Sequence, residues 1–228
     1  KILETVILCF ANDHVSASEH QFGFKESHST TLCTYAVKQV VDYYVNRGSH
    51  VFVCFVDFSK AFDRVNYWKL FKMLLSDGIP SGIVCLLAYW YSNQSVNVRW
   101  HNVVSEKFSV GNGTRQGGQL SPCLFNRYIF DILTTIASTR IGCNISGNFV
   151  NIFAYADDIV LLAPCWQALQ SLLTTLENCC INISILCNTD KTVCMVFNPK
   201  QRTRIVCKHF PALILSGCAL RYVQEFKY

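Results

Sequence analysis

The sequence predicts an α+β fold built on the ferredoxin-like order strand–helix–strand–strand–helix–strand. Three observations predict it. The run "HVFVCFVDF" is apolar on both alternating faces, which suits a central strand covered on both sides. Two later apolar runs, "FVNIFAYA" and "IVLLA", flank an Asp-Asp turn and are followed by a helical and a strand-forming segment. The piece between roughly Tyr67 and Gly113 reads as an insertion, and setting it aside leaves that order of elements.

Composition narrows the class. With 228 residues, 51% hydrophobic and 15% charged, the chain can bury one sizeable core or two small intertwined subdomains, and the apolar fraction argues against disorder. Every apolar run breaks before the length a bilayer crossing requires, so no membrane partner is expected. Lys1 to Ala11 carries neither a starting Met nor a signal-peptide pattern, and the chain is expected to be a soluble fragment of something longer. The 13 cysteines are odd in number, scattered, and never spaced Cys-x-x-Cys. They read as reduced structural thiols in an intracellular setting, with zinc ligation disfavoured. A net charge of +5 permits a nucleic-acid partner without establishing one. The densest basic stretch, "PKQRTRIVCKH" with Lys200, Arg202, Arg204 and Lys208, reads as a solvated loop or as a phosphate contact.

The elements follow in order. "STTLCTYAVKQVVDYYVNRG" has Leu32, Ala36, Val40 and Tyr44 at helical spacing, Ser29 or Thr30 to cap it and Gly48 to end it. The strand "HVFVCFVDF" follows. "YWKLFKMLLSDG" and "SGIVCLLAYWY" read as two helices, and "SVNVRWHNVVSEKFSV" as a hairpin turning near His101–Asn102. "SPCLFNRYIFDILTTIAS" is expected as a helix with a Ser N-cap and Pro in its first turn. After the Asp-Asp hairpin, a helix is expected from about Trp166 to Cys180, then the strand "TVCMVF".

In the ferredoxin-like order the first and third strands are central and adjacent. The first ends at Asp57, and the hairpin ahead of the third holds Asp157 and Asp158. Adjacent Asp at a turn is by itself an ordinary turn signal. Their convergence with Asp57 is not, because carboxylates without a basic partner repel one another and raise their own pKa values. A divalent cation relieves that repulsion, and an all-oxygen donor set suits Mg²⁺ or Mn²⁺. Two such ions can stabilise the attacking and leaving oxygens of a phosphoryl displacement.

"FVDFSKAFDRV", "GTRQGGQLSPCLFNRYIFDIL", "FAYADDIVLLA", "CNTDKTVCMVF" and the terminal "FKY" occur in order, preceded by "QFGFKESHST". Together they resemble the fingers and palm motifs of reverse transcriptases, particularly those of non-LTR (LINE-type) retrotransposons, over nearly the whole chain. The resemblance implies a polymerase palm with a mainly helical fingers subdomain. Residues 1–50 would be partial fingers and 51–228 the palm, with an inserted helix and hairpin segment at about 67–112 and no thumb. It also implies an RNA-directed DNA polymerase that uses two Mg²⁺ or Mn²⁺ ions, an RNA template, a DNA primer and deoxynucleotides. A nuclear or a cytoplasmic setting would fit.

The family's site residues carry over position by position. Asp57 matches the first metal-binding aspartate, Asp157 the second ligand in the Tyr-x-Asp-Asp box, and Asp158 its neighbour. The backbone from Phe58 to Phe62 would wrap the incoming triphosphate, and Phe62 matches the aromatic gate against a ribose 2′-hydroxyl. Gln116 and Gly117 of "RQGG" match the loop at the nascent base pair. Lys191 matches the lysine held to protonate the leaving pyrophosphate. Lys25 stands where these enzymes usually carry arginine, keeping charge but losing bidentate geometry.

Some features depart from the family. The start looks like the tail of a fingers motif, "FKY" stops before the usual Leu-Gly, and Ser184 stands where glycine is common. An alternative is therefore a palm that binds nucleic acid or a protein partner without catalysis. A non-templated nucleotidyl- or phosphotransferase is a third reading.

Overall fold

The computed structural model describes residues 1–12, 14–15, 17–115, 117–199 and 210–226. The chain runs α1 (Ile2–Asn12), α2 (Thr30–Asn46), β1 (Val51–Val56), a 3-10 turn (Phe62–Arg64), α3 (Tyr67–Ser76) and α4 (Ser81–Ser92). Four short strands follow: β2 (Ser95–Val96), β3 (Arg99–Trp100), β4 (Val103–Val104) and β5 (Phe108–Ser109). Then come α5 (Ser121–Ser138), β6 (Cys143–Ile145), β7 (Asn148–Val150), β8 (Ile152–Tyr155), β9 (Asp158–Ala163), α6 (Trp166–Ile183) and β10 (Val193–Phe197). The last are β11 (Ile214–Leu215), β12 (Cys218–Ala219) and β13 (Arg221–Tyr222). The chain forms two compact units, residues 1–17 with 60–128 and residues 18–59 with 129–228.

In the second unit the main sheet has the order β13-β10-β1-β9-β8. The first and third strands of the ferredoxin-like core, β1 and β9, are therefore neighbours, as expected. β1 is antiparallel to both flanking strands. The fifth strand, β13, lies parallel to β10 and was not anticipated, because two residues carry no periodicity to read.

Both sheet faces are covered. On one, Cys33, Val40, Val41 and Val45 of α2 pack with Val51, Val53, Val160 and Leu162. α6 packs on β1 and β9 with Leu169, Leu172, Leu173 and Leu176 fully buried. Burying side chains of this size stabilises by about 1.5–3 kcal/mol each. α2 begins where expected: Ser29 is its N-cap and accepts from the Leu32 N–H. Gly48 follows its end at φ +79, a conformation that favours glycine.

Several boundaries differ from expectation. The hairpin turns through Ala156–Asp157 rather than through the two aspartates, because Asp158 pairs with Tyr155 and opens β9. α6 runs on to Ile183, whose buried side chain continues the apolar stripe, and stops at Ser184 in the left-handed conformation, φ 61. "FVNIFAYA" is two strands rather than one. The break falls at Asn151, which is fully buried and donates its amide to the Ile136 and Ile141 carbonyls, so β7 pairs with β6 in a separate ribbon. Ser121 opens α5 from inside the helix, and its hydroxyl donates to the Arg115 carbonyl instead of capping an N–H.

The other unit is built on α3 and α4. Tyr67, Leu70, Phe71 and Leu74 of α3 bury against Val84, Leu87 and Tyr91 of α4, with Tyr91 edge-on to both Tyr67 and Phe71. The Arg127 guanidinium clasps the Asp77 carboxylate through two N–H groups. The expected hairpin turns at His101–Asn102, its two ladders being β3–β4 and β2–β5. Among the described residues no helix is long and apolar enough to cross a membrane.

Candidate active site

The register of the sheet decides which side chains meet. β1 pairs Phe55 with Val160 and Val56 with Ile159, so one more step sets Asp57 across from Asp158. On the other side the ladder with β10 ends at Phe55 and Val193; the chain before it turns through residues 188–192, so that Phe58 bridges Cys187 and the Asp57 carbonyl meets the Asn188 N–H. Side chains alternate along a strand, so Asp57 shares a face with Val51 and Val53, and Asp158 shares it with Val160 and Leu162. That face is the one α2 covers further along the strands. Asp57 and Asp158 thus form a row at one end of the sheet, and Lys191, in the turn before β10, lines the same cavity.

A cavity of about 370 Å³ opens on this row, lined among others by Asp57, Asp158, Asp190, Lys191, Arg221 and Phe226. The ring of Phe226 stacks on that of Phe55, centroids 4.6 Å apart, which closes one wall. A larger apolar cavity, about 490 Å³ between α2 and the sheet, contains none of the catalytic candidates.

The backbone holds Asp57 from both sides. Its N–H donates to the fully buried Thr192 hydroxyl at 3.2 Å, and its carbonyl accepts from the Asn188 N–H at 2.8 Å. Asp57 Oδ2 is buried and has no hydrogen-bond partner. An orphaned, buried carboxylate oxygen is costly unless something outside the protein binds it.

Asp157 occupies the second position of the two-residue loop between Tyr155 and Asp158. Its carboxyl is raised above the ordinary carboxylate value. Burial is the main cause, its own backbone N–H acts in the opposite sense, and the charge of Asp57 raises it further. Asp158 is raised by burial, then by Asp157, then by Asp57. The repulsion expected from the sequence is therefore present.

Among the described residues no three His, Cys, Asp or Glu side chains stand close enough to enclose a metal ion. The donor chemistry nevertheless fits a hard divalent cation. Asp157 and Asp158 are both raised, by burial first and then by neighbouring carboxylate charge, Asp57 has an unsatisfied oxygen, and all the donors are oxygen.

The remaining candidates divide by unit. Phe58 is buried, and its backbone bridges to Cys187, so only its main chain is open to a ligand role. The Lys25 ammonium donates to the Ser18 carbonyl at 2.7 Å, and burial lowers its pKa. In the other unit Phe62 is half-buried and stacks on Phe125 at 4.1 Å between centroids. Gly117 is exposed at φ +78 with open space where a Cβ would sit. Gln116, the basic stretch 200–209, and the Lys and Tyr of "FKY" lie outside the described residues.

Thr192 and Arg221 were missed from sequence. Thr192 follows Lys191 directly, yet nothing in a lone threonine signals a bond to a strand 135 positions away. Arg221 reaches the cavity through the unanticipated strand β13, and its guanidinium donates to the Asp190 carbonyl.

The family model for reverse transcriptase (RNA-dependent DNA polymerase) matches residues 1–228. The chain is 27% identical over 206 residues to the Pol polyprotein of the R2DM type-2 retrotransposable element of Drosophila melanogaster, covering 90% of this chain and 19% of that protein. It is 26% identical to the RNA-directed DNA polymerase of the mobile element jockey of Drosophila funebris, covering 100% of this chain and 25% of that one. The chain therefore spans about a fifth to a quarter of these relatives' length. A telomerase from Candida tropicalis, in complex with a fragment of telomeric RNA, shares the fold at a TM-score of 0.62 and 10% identity, over 90% of this chain and 35% of that one. The chain belongs to the reverse transcriptase (RNA-dependent DNA polymerase) family.

Proposed function

We propose that this chain copies RNA into DNA, adding deoxynucleotides to a primer 3′-hydroxyl with two divalent ions held by Asp57, Asp157 and Asp158. The observation that carries the reading is the shared cavity of Asp57, Asp158 and Lys191. Residues a hundred positions apart have no packing reason to place like charges at one sheet end.

When bound, the ions lower the pKa of the attacking hydroxyl and neutralise charge on the triphosphate. The residues of the chain do the rest. Asp57, held by Thr192 and Asn188, lines the cavity and carries the buried, unpartnered Oδ2. The Lys191 ammonium, exposed in the same cavity, delivers a proton to the departing pyrophosphate oxygen. Main-chain groups from Phe58 to Phe62 receive the triphosphate, and the Phe62 ring excludes a 2′-hydroxyl. Gln116 and Gly117 meet the nascent base pair, and Lys25 adds charge near template or phosphate. On this reading residues 1–50 act as fingers and the rest as palm, with 67–112 inserted.

The test is extension of a labelled DNA primer annealed to an RNA template, with Mg²⁺ or Mn²⁺, beside Asp57→Asn, Asp157→Asn and Asp158→Asn. Template-directed product that disappears in the variants is the expected result. Retained binding of template and primer without any extension would replace this reading with a non-catalytic palm. Product independent of template sequence would point to a non-templated transferase.

A further inference from the structure

Ala156, the first position of the two-residue loop that carries Asp157, has φ 56. A side chain in that region costs about 1–2 kcal/mol relative to ordinary backbone. Such a conformation persists only where its surroundings over-determine it. Here the surroundings come from one residue far away in sequence. Gln21 is 1% exposed, and its amide Nε2 donates to the Ala156 carbonyl at 3.0 Å. Its Oε1 accepts from the Ala156 N–H at 2.9 Å and from the Gly23 N–H at 2.7 Å. Both backbone groups of the strained residue are thus bound by a single side chain.

The backbone around Gln21 reinforces this. The Phe22 N–H donates to the Ala154 carbonyl at 2.7 Å and the Ala154 N–H to the His20 carbonyl at 2.8 Å, so residues 20–22 line the free edge of β8. Gly23 then passes so close that a Cβ there would lie 2.3 Å from the Ala156 nitrogen. Only glycine fits.

We propose that Gln21 and Gly23 clamp the Ala156–Asp157 loop and are positioning residues for the carboxylate row. This rests on the polymerase reading above. Without the clamp, the loop is free to leave its strained geometry. Asp157 and Asp158 then no longer hold their places opposite Asp57.

The test compares Gln21→Met, which keeps length and removes all three hydrogen bonds, with Gln21→Glu, which keeps the acceptors and sets a carboxylate against the Ala156 carbonyl. Val45→Ala, a cavity variant in α2 away from the loop, controls for lost stability. Three readouts are taken on the whole chain: Mn²⁺ affinity by calorimetry, kcat and KM for single-nucleotide extension, and hydrogen exchange at the Ala156 amide. Both Gln21 variants are expected to weaken Mn²⁺ binding and kcat by about tenfold or more, as loss of a ligand's supporting partner does. Val45→Ala should change neither. The Ala156 amide should exchange much faster in Gln21→Met than in wild type. Adding Ala156→Gly to Gln21→Met should recover part of the Mn²⁺ affinity, because glycine adopts positive φ without a clamp. Equal Mn²⁺ affinity in wild type and both Gln21 variants, or an Ala156 amide equally protected in all, would overturn the proposal. If wild type neither binds Mn²⁺ nor extends primer, the polymerase reading fails, and amide exchange still decides whether the clamp exists.

Discussion

Two hairpins in this chain turn in the same way and are held in opposite ways. β8–β9 turns through Ala156–Asp157 and β3–β4 through His101–Asn102, and in both the first loop residue is a non-glycine at positive φ, 56 and 52 respectively. The flanking strands differ. Ile152, Ala154 and Leu161 are fully buried inside a five-stranded sheet, whereas Trp100 and Val103 are 74% and 72% exposed on a two-stranded ribbon. The brace differs too. Gln21, buried, grips the first loop; the exposed hydroxyl of Ser105 supports the second ribbon by accepting from the Val98 N–H. The same local turn is thus a fixed platform where the sheet and a distant side chain hold it, and only a surface ribbon where they do not.

The sharpest break of this comparison is chemical. Asp157→Asn is expected to lower primer extension by at least about a hundredfold, since loss of even an outer partner of a metal ligand costs ten- to a hundredfold. Asn102, at the matching loop position of the surface hairpin, should tolerate Ala with stability unchanged within about 0.5 kcal/mol. Extension assays and urea unfolding check the pair.

The braces come next. Gln21→Met strands the half-buried N–H and carbonyl of Ala156 and the buried Gly23 N–H and should destabilise by about 3 kcal/mol, whereas Ser105→Ala should cost about 0.5 kcal/mol or less. Similar losses in the two urea titrations would mean that burial does not separate the hairpins.

A smaller effect follows from charge. Asp157 and Asp158 have folded-state pKa values above their ordinary value of 3.8. The folded chain therefore holds these protons more readily than the unfolded one, and the two charges cost stability at neutral pH. That cost falls away as pH drops through the raised values toward 3.8. Without divalent ions, Asp158→Asn should melt above wild type at neutral pH, by a degree or two. The gap should close in acid and also on adding Mn²⁺, which relieves the same repulsion. A gap independent of both pH and Mn²⁺ would show that the carboxylates do not interact.

The smallest expected effects concern the left-handed residues themselves. His101→Gly and Ser184→Gly should each raise stability by about 0.5–1 kcal/mol, relief of the strained φ outweighing glycine's entropy.

Much of the site was legible in advance because it is written in patterns with a short period. The both-faced apolar run predicts a covered central strand. The spacing in α2 predicts its buried face, Ser29 its start and Gly48 its end. The strand–helix–strand–strand–helix–strand order by itself places Asp57 beside the Asp-Asp hairpin. What stayed hidden had no period to show: β13 is two residues long, and the break at Asn151 depends on carbonyls of a helix end and a loop.

By itself, then, the sequence determined the main elements, their order, the family and the identity of the charged residues, because local propensity and alternation act over a few neighbouring positions. Tertiary structure alone decided how the charges are held. The Thr192 bond to Asp57, the arrival of Arg221 at the cavity and the Gln21 grip on Ala156 each join segments remote along the chain. Such bonds depend on which backbone groups the finished sheet leaves unpaired. That is settled only when its register is complete.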